Sequence, residues 1–277
     1  MRFATWNVNS VKARLPRLLD WLADKKPDVV CLQEIKCTEA AFPADEVGEL
    51  GYATAAHGDG RWNGVALLSR VGLADVTRGF AGDPGYAGEP EEDGGDALFT
   101  APADGPPPHE TRAVGATCDG VRVWSVYVPN GRTPDSPHYR YKLAWLAAFR
   151  EVVAAELPNG PFVVCGDFNV APTDADVFDP KAFIGSTHVT PPERAAVAAL
   201  LETGLHDIVP KAMKGDNPFT YWDYRAGLFH QDKGMRIDLV CASDTVAKGL
   251  SSAYIDREAR KGKGPSDHAP VIVEFTI

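Results

Sequence analysis

The order and spacing of apolar residues in this chain predict an α/β fold of two packed β-sheets with helices outside. Three observations carry that prediction. Short apolar runs separated by Gly, Asp and Pro recur along most of the chain, the signature of many short strands. Three longer stretches repeat their apolar residues at helical spacing. Strand–helix units alternate with strand-only runs, an order that suits two mixed sheets and not one doubly wound parallel sheet.

The first strand is Phe3-Ala4-Thr5-Trp6, closed by Asn7 and Asn9. Residues 10–25 predict a helix, with Ser10 as N-cap and Val11, Leu15, Leu18, Leu19 and Leu22 on one face. Pro16 falls inside that span, so the helix is expected to start later or to kink there. A strand over 28–33 completes a strand–helix–strand opening. Runs over 52–57, 63–70, 73–78, 112–118 and 121–128 read as a meander of strands. Residues 137–157 predict a second helix through Tyr141, Leu143, Trp145, Leu146, Phe149, Val152 and Val153, followed by the strand Phe162–Gly166. Residues 191–203 predict a third helix, with Pro at its start and Gly204 past its end. Strands near 219–224, 235–242, 251–256 and 270–276 finish the chain.

A chain of 277 residues can bury a large core, and 1–277 is expected to form a single domain. Its 44% hydrophobic and 24% charged residues are ordinary for a globular protein and set aside fibrous and disordered classes. No apolar run reaches the length of a bilayer span, so no membrane partner is expected. The N-terminus enters a strand at Arg2-Phe3 without a charged leader and apolar core, so a cytoplasmic location is expected. The five cysteines, Cys31, Cys37, Cys118, Cys165 and Cys241, are scattered and include no Cys-x-x-Cys pair, which fits buried thiols in a reducing compartment.

The net charge of −10 argues at first against a nucleic-acid partner. Its distribution reverses that reading. Residues 81–110 hold eight of the 38 acids and no Lys or Arg, so the other 30 acids nearly balance the 28 basic residues. A near-neutral body can present a local basic face. The same stretch is rich in Gly and Pro, and is expected to be a flexible surface insertion.

The chemistry is concentrated at strand ends. Asn7 and Asn9 close the first strand, and Glu34 follows Val29-Val30-Cys31-Leu32-Gln33. Asp167 and Asn169 follow Phe162-Val163-Val164-Cys165-Gly166. Ser266-Asp267-His268 stands on the lip of the last strand. Oxygen and imidazole groups on four apolar strands predict one polar, metal-binding pocket, since carboxylate and amide oxygens are ligands for hard cations. Alternation puts Asp167 and Asn169 on one side of the chain. Asp238 lies inside the apolar run Ile237-Asp238-Leu239-Val240, where an unpaired ion is costly, and His268 would satisfy it. Tyr127 and Asn130 sit in Tyr127-Val128-Pro129-Asn130-Gly131, which also makes a good turn.

Taken in order, these segments resemble the exonuclease III family of apurinic/apyrimidinic endonucleases, within the larger endonuclease/exonuclease/phosphatase superfamily. Leu32-Gln33-Glu34-Ile35-Lys36, Tyr127-Val128-Pro129-Asn130-Gly131, Gly166-Asp167-Phe168-Asn169, Gly234-Met235-Arg236-Ile237-Asp238 and Ser266-Asp267-His268 all match its pattern. Thr220-Tyr221-Trp222-Asp223-Tyr224-Arg225 matches its aromatic segment. The acidic stretch near 81–110 is the departure, and looks longer than the family's.

The resemblance implies a four-layer α/β sandwich. It implies a monomeric hydrolase, dependent on Mg²⁺ with Mn²⁺ as a substitute. The reaction implied is cleavage of duplex DNA 5′ to abasic sites, with degradation or trimming of blocked 3′ ends. Tyr127, Asp167, Asn169, Asp238 and His268 would be catalytic. Asn7, Glu34, Asp167, Asn169, Asp267 and His268 would surround the metal. Asn9, Arg112, Asn130, Tyr221, Trp222, Met235 and Ile237 would face DNA, the last four as an apolar slot for a sugar without its base. Lys12, Arg14, Arg132, Arg140, Lys142, Arg257, Arg260, Lys261 and Lys263 are further candidates for phosphate contact. The superfamily also holds DNases, RNA deadenylases and inositol-phosphate or phospholipid hydrolases. The Tyr-Val-Pro-Asn-Gly and Arg-Ile-Asp segments favour the DNA repair branch.

Overall fold

A computed structural model describes residues 1–86, 109–212 and 217–277. Among the described residues the strands form two six-stranded mixed sheets. The first contains β1 (Arg2–Asn7), β2 (Val29–Gln33), β3 (Ala53–His57), β4 (Val65–Ser69), β11 (Leu250–Ile255) and β12 (Val271–Phe275), in the order β11-β12-β1-β2-β4-β3. The second contains β5 (Ala74–Arg78), β6 (Ala113–Cys118), β7 (Val121–Tyr127), β8 (Phe162–Asp167), β9 (Leu205–Asp207) and β10 (Asp238–Ser243), in the order β5-β6-β7-β8-β10-β9. Each sheet has one parallel pair, and a helix makes the return: α1 (Val11–Lys25) between β1 and β2, and α3 (Pro137–Glu156) between β7 and β8. The remaining helices are α2 (Ala44–Gly48), α4 (Pro191–Leu201) and α5 (Asp244–Ala247), besides short 3₁₀ turns.

Strand alternation explains the layers. Phe3, Val29, Cys31, Val65 and Leu67 from the first sheet meet Val114, Val123, Val163, Cys165 and Val240 from the second in one core between the sheets. The alternate residues Ala4, Trp6, Val30 and Leu32 pack outward on Val11, Leu18, Trp21 and Leu22 of α1. Trp124, Val126, Phe162, Val164 and Leu239 pack outward on Tyr141, Trp145, Phe149 and Val153 of α3 and on Val197 and Leu200 of α4. Three apolar interfaces separate four layers, so the expected α/β sandwich is present. Sheets covered on both faces also explain why central strands read as continuous apolar runs.

Gly166 shows how tightly β7 and β8 approach. Val126 is its register partner, and a Cβ on Gly166 would lie 1.9 Å from the Val126 carbonyl oxygen. Only glycine permits this pairing, which sets Asp167 beside Tyr127.

Several elements differ from expectation. Pro16 leaves α1 unbroken from Val11 to Lys25. It removes one hydrogen bond, to the Lys12 carbonyl, and both residues are exposed, so water can serve that carbonyl. Residues 219–224 are not a strand. Tyr221 instead makes isolated bridges to Met235 and His268. The strand expected at 235–242 begins at Asp238 because the three residues before it turn to those bridges and to Asp176. β9 is three residues long, too short to show a period. Most of the acidic insertion near 81–110 lies outside the described residues. Tyr86, at its start, packs on Tyr141 with ring centroids 5.2 Å apart. No described helix is long and apolar enough to cross a membrane.

Gly166→Ala is expected to destabilise the fold by at least about 3 kcal/mol, because neither strand can retreat without breaking the ladder. A urea melt indistinguishable from the wild type would show that β7 and β8 are looser than this.

Candidate active site

The polar strand ends converge at one end of the two sheets. In register, Asp167 pairs with Tyr127 on one side and Asp238 on the other. Asn7 ends β1 in the facing sheet, Glu34 follows β2 and His268 precedes β12. The Asn7 amide spans the gap, its Nδ2 donating to Glu34 Oε1 at 2.8 Å and to Asp167 Oδ2 at 3.0 Å. Tyr127 Oη donates to Glu34 Oε1 at 3.0 Å, and Lys36 Nζ pairs with Glu34 Oε2 at 2.8 Å. His268 Nδ1 lies 2.8 Å from Asp238 Oδ2, and its Nε2 lies 3.8 Å from Asp167 Oδ2. Asn169 donates its backbone N–H to Asp167 Oδ1 at 2.9 Å and accepts the Asn130 amide at 3.1 Å.

Backbone geometry turns these side chains inward. Asn9, Glu34 and Asn169 all have positive φ, at 45°, 49° and 51°. A non-glycine residue there carries strain, and such residues cluster at sites whose surroundings hold them. At each of the three, a strand has just ended and the chain folds back over the sheet edge.

Burial and charge set the protonation of the group. Desolvation raises the Asp167 carboxyl to about 7, against the pull of His268. Burial would lower His268, but the Asp238 carboxylate overrides it and raises the imidazole to about 10. Burial works on Glu34 too, yet the Lys36 ammonium holds its carboxyl below the usual range. Burial pushes the Tyr127 phenol well up, with Glu34 adding to the effect, so it remains an O–H donor.

Glu34, Asp167 and His268 offer ligand atoms within 4.8 Å of one another. The two carboxylates suit a hard divalent cation. His268 suits one less well, because an imidazolium held by Asp238 has two N–H donors and no free lone pair. It is better matched to an anion. Asp267 sits further out, accepting from Asn9 Nδ2 at 3.1 Å, and Lys36 Nζ donates to Asn9 Oδ1 at 2.6 Å.

Tyr221 lies beside His268, with ring centroids 4.9 Å apart, and packs with Met235, Ile237, Ala171 and Val177 in a small apolar cluster. Trp222 does not join it. Its side chain points the other way into the inter-sheet core, 1% exposed, against Phe229 and the Arg257 guanidinium. Tyr221 and Trp222 are consecutive in extended backbone, so only one of them can face the site. Arg112 also differs from expectation. It is buried, bonded to Glu110 and to the Tyr127 carbonyl, and stacked under the Tyr127 ring at 4.8 Å. It holds the tyrosine from behind, with its charge paired to Glu110. Lys142, Arg257 and Arg260 are likewise buried and engaged inside the protein. Lys12, Arg132, Arg140, Lys261 and Lys263 are exposed, and Arg14 is half-buried against Asn9 and Tyr224.

Other residues around the site were not anticipated. Ser266 Oγ donates to the Asn7 carbonyl at 2.6 Å and accepts from His268 N, fastening the histidine loop to β1. Thr220 Oγ1 accepts from the backbone of Ile237 and Asp238. Trp62 is 79% exposed near Lys36, whose ammonium lies 5.6 Å from its ring. An aromatic next to Asn63-Gly64 in a loop was the available signal for it.

Comparison with known proteins identifies the family. The model of the Endonuclease/Exonuclease/phosphatase family matches residues 4–268. The chain belongs to this family. It is 30% identical to exodeoxyribonuclease III of Haemophilus influenzae, over 99% of this chain and 100% of that one. A 3′-5′ exonuclease from Neisseria meningitidis superposes with a TM-score of 0.88 at 37% identity, covering 100% of both chains. An AP endonuclease from Archaeoglobus fulgidus superposes with a TM-score of 0.85 at 31% identity, also over 100% of both. Within the family the chain is of the exonuclease III type, a phosphodiester hydrolase that depends on a divalent metal.

Trp222→Ala is expected to lower unfolding free energy by about 3–5 kcal/mol, as removal of a core aromatic does. A loss under about 1 kcal/mol in urea melts would return Trp222 to the site wall.

Proposed function

We propose that the chain is a Mg²⁺-dependent DNA repair nuclease that cuts the phosphodiester 5′ to abasic sites and trims blocked 3′ ends of duplex DNA. The observation that carries this reading is the joined set Glu34, Asp167, Asn169 and the Asp238–His268 pair, in a family member with exonuclease III-type relatives. In this reading the whole of 1–277 acts as one catalytic unit, a monomer with Mn²⁺ as a substitute metal.

Glu34 and Asp167, with Asn7 alongside, would hold the divalent cation, which would supply neutralisation of charge on the phosphate and on the leaving 3′-oxygen. The chain's own groups do the rest. His268 presents Nε2–H to a non-bridging phosphate oxygen while Asp238 fixes its ring. Asp167, fixed by the Asn7 amide and the Asn169 N–H, takes the proton of the attacking water. Asn130 bonds the Asn169 side chain and so helps hold the Asn169 N–H on Asp167. Tyr127 keeps its proton and donates it in a hydrogen bond to the phosphate once substrate displaces Glu34 as its partner. The apolar cluster of Tyr221, Met235 and Ile237 accepts a sugar without its base, and little stacking is lost when such a sugar swings out. Lys12, Arg132, Arg140, Lys261 and Lys263 meet the backbone, so binding tolerates sequence and weakens with salt. Trp62 offers an exposed ring for stacking on a base.

Asp167→Asn is expected to leave folding and duplex binding intact while lowering turnover by about 10²–10⁴-fold. The assay is cleavage of a 5′-labelled duplex with one stable abasic analogue, with Mg²⁺ and with chelator. A single metal-dependent cut beside the lesion supports the endonuclease reading, and a ladder from the 3′ end supports exonuclease in its place. No cleavage of either kind would remove DNA repair and leave the family's phosphatase and lipid hydrolase branches.

A further inference from the structure

Behind the site lies a charged pair that no step above uses. Lys142 of α3 and Glu193 of α4 form an ion pair whose side chains are both 0% exposed. Burying two charges is weak evidence for stability, because apolar residues of similar volume serve as well or better. What distinguishes this pair is where its other hydrogen bonds go.

Lys142 Nζ donates to the Asn169 carbonyl at 2.6 Å and to the Asn130 carbonyl at 3.2 Å. These two asparagines are bonded to each other through their side chains, and the Asn169 N–H bonds Asp167 Oδ1. Glu193 Oε1 accepts from Thr187 Oγ1 at 2.6 Å and from His188 N at 3.0 Å. The Asn130 carbonyl is a second acceptor within reach of that one hydroxyl proton, 3.0 Å from Thr187 Oγ1. Oε2 of Glu193 accepts from Thr190 N and Thr190 Oγ1, closing the N-cap of α4. His188 Nδ1 meets the Asn169 carbonyl from the other side. The carbonyl of Asn169 is therefore clamped by an ammonium and an imidazole. Its residue sits at φ 51°, in the left-handed region that non-glycine residues enter only as single, locally held positions.

We infer that Lys142 and Glu193 are positioning residues for the reaction, an internal clamp that holds Asn130 and Asn169 in place and through Asn169 aims the Asp167 carboxylate. The inference rests on Asp167 acting at the scissile phosphate. A pair serving only to join α3 to α4 would need no contact with either asparagine. The clamp also accounts for both charges. An ammonium is a stronger donor to two carbonyls at once than any neutral side chain, and the carboxylate keeps that ammonium ionised in a dry interior.

Changing one partner alone would strand a buried charge, so the test changes both. In Lys142→Met/Glu193→Gln the pair becomes neutral, and the glutamine oxygen still serves the α4 cap. The expected result is a folded chain whose kcat on the abasic duplex falls by about 10²-fold with KM nearly unchanged. A folded double variant with wild-type kcat would overturn the inference. If that variant does not fold, Thr187→Val is the second probe. It keeps the ion pair but removes the hydroxyl that lies between Glu193 Oε1 and the Asn130 carbonyl, and kcat should fall several-fold with KM unmoved. Unchanged kcat would count against the clamp. A wild-type chain that cuts no DNA would instead sink the functional reading. The crystal structure of the double variant then decides the clamp. Asn169 should leave its left-handed conformation and its contact with Asn130 should open, whereas an unmoved 167–169 segment would overturn the inference.

Discussion

The hydrogen bond between Asp238 and His268 is the interaction on which the rest of the site depends. Asp238 is fully buried on β10, and an isolated carboxylate there would be too costly to keep ionised. His268 answers that charge from the facing sheet, just before β12. The pair therefore joins the two sheets at the one end where their apolar core stops. It also fixes the imidazole as a cation with one N–H left to point outward. Ser266 and Thr220 serve the same purpose from either side, one tying the histidine loop to β1 and the other holding the backbone of Asp238.

The rest of the seam follows the same logic. Below the catalytic groups, Thr5 Oγ1 donates to Gln33 Oε1, and Gln33 Nε2 donates to Ser125 Oγ across the sheet interface. Above it, Asn7 reaches Asp167 and Tyr127 reaches Glu34, each from the opposite sheet. Three of these contacts cross from one sheet to the other, so a one-residue slip of either sheet would strand them. The sandwich register and the active-site geometry are thus the same constraint. A mismatch in one is an unsatisfied hydrogen bond in the other.

That identity explains what the sequence could reveal. Residues placed by strand alternation were legible, because period two says which way Asp167, Asp238 and the apolar core residues point. Asp238 in an apolar run demanded a partner, and the partner is His268. Residues in irregular backbone were not legible. Trp222 and Tyr221 lie in a segment tied by isolated bridges, where no periodicity decides which ring faces the site. Lys142 looked like a surface cation, since charge alone does not reveal a buried carboxylate waiting far along the chain, and Arg112 did because its charge pattern does not show that its stem and Glu110 fold in under Tyr127. Glu193 is the third residue of a capping box that opens α4 at Thr190. Its second oxygen does other work, and only the fold brings Lys142 to it.

The left-handed conformations of Asn9, Glu34 and Asn169 complete the argument. Each is an uncommon conformation for a residue with a side chain, and each is tied in place by its neighbours. Asn9 is held by Asn7, Lys36 and Asp267, Glu34 by Asn7, Lys36 and Tyr127, and Asn169 by Val128, Asn130 and Lys142. Strain balanced by so many bonds makes a rigid site, and rigidity matters for this chemistry. Phosphoryl transfer leaves little covalent work to the protein, so rate comes from dipoles and charges already pointing where the phosphate will carry charge. On the mechanism proposed above, a floppy carboxylate at Asp167 would have to be reoriented in every turnover. One held by the Asn7 amide and the Asn169 N–H does not, which is why the backbone of Asn169 is as much a part of the site as the side chain it supports.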